Sequence, residues 1–516
     1  MNLKLNFFSM MLAIILLSVC DASAEKYQLI PAPAYQIQTG SSLSLENGVK
    51  IISNDKRLDS VVDLFADKIS EEDLRLEESG IPIHFVLYKN YQENDESYSV
   101  KIEKEAIYIS ANSEKGILYG AVSILQLMHN STQISTGEIM DEPRFSYRGF
   151  MLDESRHFFG MEKVKQLLDV MMYLKLNHFA WHLTDEPAWR LAIRSYPQLT
   201  TIGARGSHSN ADAPARFYTQ KEIKEIVAYA AKRGITVIPE IDMPGHATAA
   251  NRAYPEYSGG GSKKHPDFTF NPGKQETYTY LTNILAEVAG LFPASVIHLG
   301  GDEVHYGNEE WQKLEEVQTL MKDKNLADLK EVESYFVRRM ADSIQGLGKV
   351  VGAWDETVDG DLDASNTLIY WWRHNLPEQL ERSLAEGFPT VLCPRRPLYF
   401  DFVQDSTDKV GRRWNGYNPY EDVYHFPDSL AQFNAQQSDL IRGVQANLWT
   451  ETVQSAERFD YMVYTRLAAM AESAWTSPET KDITSFNLRL KELFNYYDRL
   501  SIYYYNPFYK QKEPVK

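Results

Sequence analysis

Eight short apolar runs, separated by helical segments, constrain the fold of this chain more than any other feature of its sequence. The runs are Tyr147–Leu152, His178–Leu183, Thr236–Ile241, Ser295–Leu299, Val350–Trp354, Leu368–Trp372, Thr390–Leu392 and Val444–Trp449. Helical periodicity lies between them, as in Val164–Leu174, Lys221–Arg233 and Thr277–Ala289. The pattern predicts an α/β fold, a (β/α)8 TIM barrel, with long insertions after the third, fourth and seventh strands.

Polar residues cluster where each of these runs ends. In chain order they are Asp153 and Arg156; Thr184 and Asp185; Glu240, Asp242 and His246; Asp302 and Glu303; Trp354, Asp355 and Glu356; Trp371, Trp372 and Arg373; Tyr399 and Asp401; and Trp449, Thr450 and Glu451. Barrel enzymes carry their active sites on the face formed by the carboxyl ends of the strands. The pattern therefore predicts an active site there, because a purely structural barrel end would not need such groups at all eight strands.

Two adjacent carboxylates, Asp302 and Glu303, follow the glycine pair Gly300-Gly301 at the end of the fourth run. Glycine lets the backbone turn without a side-chain clash, so the acids are expected at the rim of the sheet. Neighbouring acids repel when both ionise, so one of them tends to hold its proton toward neutral pH. A site that protonates a leaving group while stabilising a positive centre needs that difference.

Composition changes divide the chain into four segments. We predict a signal peptide at 1–24, a small α+β domain at 25–143, the barrel at 144–480, and a carboxyl-terminal helix and tail packed on the barrel at 481–516. The small domain contains alternating strands at Tyr98–Glu103 and Ala106–Ser110 and an amphipathic helix at Gly116–Met128. It shows no residue pattern that indicates chemistry.

The amino-terminal sequence is typical of an export signal. Lys4 precedes the short apolar run Phe7–Val19, and Ala22-Ser23-Ala24 forms a small-x-small cleavage site. We expect a periplasmic or secreted protein, with lipid attachment at Cys20 as the alternative. Cleavage after Ala24 would leave Cys393 as the single cysteine, which excludes an intramolecular disulfide.

Charge and motifs exclude several classes of protein. The formal net charge of −18 argues against nucleic acid or an anionic membrane as partner. The apolar leader is too short for a membrane-spanning segment. There is neither a P-loop nor a dinucleotide-binding glycine pattern, and His178 and His182 lie on a predicted strand without the glutamate of a zinc motif. We therefore expect neither a cofactor nor a metal, and the oligomeric state stays open.

Six motifs, in the right order, resemble glycoside hydrolase family 20, the β-N-acetylhexosaminidases. They are Arg148–Asp153 with Arg156-His157-Phe158, Trp181–Glu186 with Trp189-Arg190, Pro239–His246, His298–Glu303, Gly352–Glu356 and Gln445–Glu451. The resemblance covers about residues 27–480, and the small domain resembles the one that precedes the barrel in this family. It implies hydrolysis of terminal, non-reducing β-linked GlcNAc or GalNAc with retention, in which the substrate's own acetamido oxygen is the nucleophile.

The resemblance also implies roles for individual residues. Glu303 would be the general acid and then the general base, and Asp302 would orient the acetamido group and stabilise the oxazolinium. Tyr399 would hold the acetamido oxygen, and Asp185 would orient His246, which tunes the acid. Sugar hydroxyls would be bound by Arg148, Asp401 and Glu451, and the apolar walls would be Trp354, Trp372 and Trp449. Trp371 and Trp372 alternate in direction, and Trp372 is the predicted site residue.

Two other functions fit the same motifs. One is a non-catalytic sugar-binding protein, against which the intact pair of acids argues. The other is a related hydrolase that releases a disaccharide or a sulfated sugar, for which a wider pocket or a basic group near the sixth hydroxyl would be the sign. The natural glycan, its linkage and the preference between GlcNAc and GalNAc are not determined by the sequence.

Overall fold

The computed structural model describes residues 26–515 except 73, 94, 130, 415, 431, 432 and 510. The predicted signal peptide, with Lys4 and Cys20, lies outside the described residues. The chain divides into two compact units, one formed mainly by Pro33–Glu142 and the other by Pro143–Lys516 together with Ile30–Ala32. No helix among the described residues has the length and apolar character needed to cross a membrane.

The first unit is a six-stranded mixed sheet covered by two helices. Its strands are β1 Tyr35–Ser44, β2 Val49–Ser53, β3 Ile81–Leu87, β4 Tyr98–Ile102, β5 Ile107–Ala111 and β6 Gln133–Asp141, in the spatial order β1-β6-β4-β5-β3-β2. The helices are Asp59–Glu71 and Glu114–His129. A Cβ on Gly120 would lie 2.6 Å from Ile109 Cγ2, so glycine lets the second helix approach the sheet closely. The predicted strands and helix of this unit are present.

The second unit contains a closed barrel of eight parallel strands. They are Tyr147–Asp153, His178–His182, Thr236–Glu240, Val296–His298, Val350–Trp354, Thr367–Trp371, Thr390–Leu392 and Ile441–Leu448, named here the first to eighth barrel strands. The barrel closes where the eighth strand pairs with the first, with Gly443 opposite Tyr147 and Leu448 opposite Leu152. The predicted TIM barrel is confirmed, and every strand lies within three residues of its predicted bounds.

Helices surround the barrel and fill its insertions. They are Met161–Tyr173, Gln198–Thr201, Gln220–Lys232, Thr248–Ala253, Gln275–Leu291, Glu315–Lys324, Leu329–Gly346, Pro377–Ala385, Arg395–Leu398, Tyr420–His425, Ala435–Leu440, Ala456–Trp475 and Ile483–Arg499. Thr219 begins one of them with a capping box, in which its side chain and that of Glu222 each bond the other's backbone N–H. The last helix packs on the barrel, where Tyr496 stacks on Tyr173 with ring centroids 3.9 Å apart.

Candidate active site

The loop after the fourth barrel strand presents Asp302 and Glu303 at the carboxyl end of the barrel. Gly300 and Gly301 have φ of 75° and 93°, and Glu303 itself has φ of 53°. A Cβ on Gly300 would lie 1.8 Å from Asp242 Oδ1, so no other residue fits there. Left-handed backbone at Glu303 costs about 1–3 kcal/mol, and such strain is found most often at functional sites. The turn leaves Asp302 8% exposed, whereas the Glu303 side chain is 30% exposed.

His246 lies between the two acids and a third carboxylate behind it. Its Nε2 is 3.6 Å from Asp302 Oδ2 and 3.8 Å from Glu303 Oε2, and its Nδ1 is 3.0 Å from Asp185 Oδ1. Burial alone would lower the pKa of His246, but the charges of Asp185 and Asp302 outweigh it and raise the pKa to about 10. His246 is therefore an imidazolium at neutral pH, which donates to Asp185 and points its other N–H toward the acid pair.

Asp185 is kept ionised by the cations around it. Arg156 lies 2.7 Å from its Oδ2, and His182 Nε2 lies 2.8 Å from the same oxygen. Burial opposes ionisation, but Arg156 and His246 hold the pKa of Asp185 well below its usual range. Asp185 can therefore orient His246 without taking its proton.

A buried carboxylate, Asp242, lies on the inner side of the pair. Its Oδ1 accepts the Gly301 N–H at 3.3 Å, and burial followed by the charge of Glu240 raises its pKa well above normal. Burial and then Asp242 raise the pKa of Asp302 in the same way, although His246 partly offsets the rise. Asp302 thus has a raised pKa in the free protein. The family resemblance, in contrast, assigns proton donation to the adjacent Glu303.

The acids open into a pocket with aromatic walls. Its empty space, including the open mouth, is about 480 Å³, and its lining consists of Arg156, His246, Asp302, Glu303, Trp354, Trp372, Arg395, Tyr399, Asp401, Arg412, Trp414, Trp449 and Glu451. Tyr399 and Trp372 lie nearly parallel, with ring centroids 6.2 Å apart, and Trp449 is 6.1 Å from Tyr399. Such walls suit the apolar faces of a sugar ring or a methyl group.

Several polar atoms in the pocket are buried without a hydrogen-bond partner among the described residues. They are Asp302 Oδ1, Asp401 Oδ1, Glu451 Oε2 and His246 Nε2. Buried polar groups are normally paired, so these unpaired atoms lining a cavity indicate a ligand with donors for the carboxylate oxygens and an acceptor for His246. Burial raises the pKa of the Tyr399 phenol well above normal, so its hydroxyl keeps a proton that it can donate.

Asp401 and Glu451 form one side of the pocket and are joined by Arg412. Arg412 Nε is 2.8 Å from Asp401 Oδ2, and its other nitrogen bonds Glu451. Burial raises the pKa of Asp401 to about 7, although Arg412 opposes the rise. The side thus presents acceptors whose charge is partly neutralised, which suits neutral hydroxyl groups.

Most of the residues singled out from the sequence converge on this pocket. Lining it are Asp302, Glu303, His246, Tyr399, Asp401, Glu451, Trp354, Trp372 and Trp449, and Asp185 lies directly behind His246. Trp372 rather than Trp371 belongs to the lining.

The prediction for Arg148 is wrong. Arg148 lies at the start of the first barrel strand, at the opposite end of the barrel from the pocket. Its guanidinium donates to the carbonyls of Lys175 at 2.9 Å and Phe145 at 2.8 Å and lies over the Trp475 ring. Arg156, beyond the carboxyl end of the same strand, lines the pocket instead.

Three other lining residues were not predicted. Arg395, Arg412 and Trp414 belong to the insertion after the seventh barrel strand, whose helices are too short for a periodic pattern to indicate the direction of a side chain. The sequence Arg412-Arg413-Trp414 combines cationic and aromatic groups, and that combination was the available signal.

Acidic and histidine side chains in the site also come close enough to hold a metal ion. Among the described residues, the ligand atoms of Asp242, His246 and Asp302 lie within 4.8 Å of one another. A metal there would have to displace the proton of His246, whose pKa the charges of Asp185 and Asp302 raise to about 10 against the effect of burial. The absence of a metal stays a prediction.

Comparison with known proteins places these observations in a family. The model for the catalytic domain of glycosyl hydrolase family 20 matches residues 145–478, and that for domain 2 of the family matches 26–142. A β-hexosaminidase of Porphyromonas gingivalis is 32% identical over 98% of this chain and 69% of its own length; one of Vibrio furnissii is 37% identical over 75% and 66%. The crystal structure of a GH20 exo β-N-acetylglucosaminidase from Vibrio harveyi, in complex with N-acetylglucosamine, superposes with a TM-score of 0.85 at 32% identity, covering 95% of this chain and 80% of that one. The chain belongs to glycosyl hydrolase family 20.

Proposed function

We propose that the protein is an exo-acting, retaining β-N-acetylhexosaminidase that removes terminal β-linked GlcNAc or GalNAc through an oxazolinium intermediate. The observation that carries this proposal is the unpartnered Asp302 Oδ1, buried beside Glu303 in an aromatic pocket. An acetamido N–H supplies the donor that this oxygen lacks. The names of the related hexosaminidases support the substrate class.

Asp302 would change its protonation state when the substrate binds. Its raised pKa in the free protein comes from burial and from Asp242. A hydrogen bond from the acetamido N–H favours the ionised carboxylate and would bring that pKa down. The resulting anion would hold the acetamido carbonyl against the anomeric carbon and stabilise the positive oxazolinium as it forms.

Glu303 would transfer the proton in both steps. It first protonates the glycosidic oxygen as the acetamido oxygen attacks the anomeric carbon and the glycosidic bond breaks. It then removes a proton from the water that opens the oxazolinium, which gives the product its original configuration. The imidazolium of His246, 3.8 Å from Glu303 Oε2, would stabilise the carboxylate left after the first step.

The side formed by Asp401, Arg412 and Glu451 supports exo action. These residues offer acceptors for the hydroxyls of a terminal sugar, and the ion pairs of Arg412 join the two acids into one wall of the pocket. The amino-terminal sequence further supports export of the enzyme to the periplasm or the medium.

The decisive experiment replaces Glu303 by Gln. We expect kcat for an alkyl β-N-acetylglucosaminide to fall about 10²–10⁴-fold, because general acid catalysis is lost, with little change in product affinity. Glu309→Gln, at an exposed position in the same insertion, is the matched control and should keep wild-type activity.

The nucleophile is tested with the wild-type enzyme. Fluorination of the acetamido methyl withdraws electrons from the carbonyl oxygen, so kcat should fall with each fluorine, and NMR should detect the β-anomer as the first product. An α-anomer as first product, or a rate indifferent to fluorination, would exclude the substrate-assisted mechanism.

A further inference from the structure

One arginine of the pocket has no acidic partner. Arg395 lines the pocket, yet none of the described carboxylates forms an ion pair with it. Its Nε is buried without a hydrogen-bond partner, and a terminal nitrogen donates to Asn375 Oδ1. A guanidinium left with unused donors in a cavity indicates an anionic or carbonyl-bearing ligand.

The neighbouring arginines of the site differ from Arg395 because each of them has a carboxylate partner. Arg156 pairs with Asp185, Arg412 with Asp401 and Glu451, and Arg373 lies 3.1 Å from Asp355. Among the arginines that line the described part of the pocket, Arg395 is therefore the one without a carboxylate partner.

That local charge has an independent effect on a nearby histidine. His374 has a pKa lowered by burial and then by the charges of Arg395 and Arg396. Arg396 donates to the backbone carbonyls of Arg413 and Trp414 rather than to an acid. Arg395 and Arg396 thus place two cations beside His374, although the chain as a whole carries a net charge of −18.

Two tryptophans hold the Arg395 guanidinium in place. Its Cζ lies 4.8 Å from the Trp372 ring centroid and 5.5 Å from that of Trp414, and its backbone N–H donates to the Trp372 carbonyl at 2.9 Å. Trp414 is 54% exposed although Arg412 and Phe402 also contact its ring, so part of the ring is open to a ligand such as a sugar. The stacking reduces the conformational freedom that Arg395 would otherwise lose on binding an anion.

Arg395 and Glu303 line the same pocket. Tyr306 lies three residues after Glu303, and its backbone N–H donates to the Glu303 carbonyl at 2.9 Å. The charge of Glu303 raises the pKa of the Tyr306 phenol, whereas that of Arg395 lowers it. Because Glu303 protonates the leaving oxygen in the proposed reaction, we place the released sugar against Arg395.

We propose that the subsite for the released sugar takes an anionic sugar, whose carboxylate or sulfate pairs with Arg395 while its ring stacks on Trp414. The inference rests on the proposed function and names the class of glycan on which it acts, namely an N-acetylhexosamine attached to an acidic sugar. The overall negative charge of the chain opposes long-range attraction of such a glycan. We therefore expect Arg395 to act at short range. It should increase the selectivity for acidic over neutral substrates and should not increase the rate of association.

The test compares disaccharides that differ only at C6 of the released sugar. GlcNAc β-linked to glucose, to glucuronic acid and to glucose 6-sulfate presents a hydroxymethyl, a carboxylate and a sulfate at the same place. The quantity measured is kcat/KM for each acidic substrate divided by kcat/KM for the neutral one. We expect at least one ratio above one for the wild type, and a fall of about tenfold in that ratio for Arg395→Met, as for loss of a charged hydrogen bond.

Two further variants separate charge from structure. Arg395→Lys keeps the cation and should restore part of the ratio. Arg339→Met removes an arginine that lies over the Tyr278 ring on an outer helix, far from the pocket, and should leave both the ratio and the basal activity unchanged.

The possible outcomes separate a failure of the acidic subsite from a failure of the proposed hydrolase activity. Wild-type ratios of one or less, or ratios that Arg395→Met does not change, overturn the acidic subsite even when the neutral disaccharide is hydrolysed. Failure to hydrolyse any β-N-acetylglucosaminide overturns the proposed function instead. The acid that responds to Arg395→Met, carboxylate or sulfate, identifies the source of the anion.

Discussion

The two ends of the barrel use arginine in opposite ways. Arg148 and Arg156 begin and follow the same strand, eight residues apart in the chain. Arg148, at the amino end, donates to two backbone carbonyls, whereas Arg156, at the carboxyl end, forms an ion pair with Asp185 and lies over the Trp449 ring. Arg148 thus satisfies the hydrogen bonding of backbone carbonyls, whereas Arg156 keeps Asp185 ionised behind His246.

Buried charges are balanced at the amino end and unbalanced in the pocket. Near the amino end, Glu472 and Arg489 form a bidentate pair with bonds of 2.8 and 2.6 Å. In the pocket, Asp242 and Asp302 are both buried and both have raised pKa values. The comparison contrasts a buried carboxylate that a cation neutralises with two neighbouring carboxylates whose pKa values are raised, and variants at the two ends can test what each arrangement contributes.

The largest effect should come from Arg489→Met. It leaves Glu472 buried at 0% exposure without its cation, which costs about 3–5 kcal/mol of stability. Chemical denaturation measures the loss, and activity at 25 °C should stay at the wild-type level. Lys491→Met, at an exposed position of the same helix, should change stability by less than about 0.5 kcal/mol. Unaltered stability of Arg489→Met would mean that charge balance at this end does not matter.

Exchanging the two strand arginines for methionine should separate activity from stability. Arg156→Met removes the cation nearest Asp185, and kcat/KM should fall about 10–100-fold, as for loss of a charged hydrogen bond. Arg148→Met should instead lower stability by about 2 kcal/mol, because buried carbonyls lose their donors, with kcat/KM kept. The reverse result would return Arg148 to the role first assigned to it.

The smallest effect concerns pH. Asp242 raises the pKa of Asp302, and kcat/KM should fall as pH drops and Asp302 of the free enzyme becomes protonated. Asp242→Asn removes that charge while keeping an oxygen for the Gly301 N–H, so the acid limb should move to lower pH by about one unit. Asp323→Asn, at an exposed site, should leave the profile in place. An acid limb that stays fixed or moves upward would remove Asp242 from the titration of Asp302.

The regular part of the fold was predictable because it depends on local patterns. Each barrel strand is a short apolar run, and the site residues that follow directly after a strand, such as Asp302 and Trp449, were assigned correctly to the pocket. The error at Arg148 has a physical origin. The motif around it drew attention, but its position at the start of a strand places it at the end of the barrel where active sites do not form.

Residues of the insertion after the seventh strand could not be located in this way. Arg412 and Trp414 lie 20 and 22 residues beyond Leu392, whereas Arg395 lies only three residues beyond it, in a four-residue helix with non-helical backbone at Arg396. No regular period therefore fixes the direction of these side chains. The sequence also could not show which carboxyl group of the site has a raised pKa. The raised pKa of Asp302 depends on burial and then on Asp242, which is 60 residues away in the chain and is brought close where the third and fourth barrel strands pair.

Arg412 forms ion pairs with Asp401 and Glu451 on one side of the pocket. Exo action at this wall would determine how the rate of glycan degradation depends on the number of chain ends. In the proposed exo action only chain termini enter the pocket, and each hydrolytic event removes one terminal sugar and exposes only the next sugar of the same strand. The rate of sugar release from a long glycan would then depend on the concentration of chain ends and not on the mass of the glycan. Enzymes that cleave the glycan internally would therefore raise the concentration of substrate for this one.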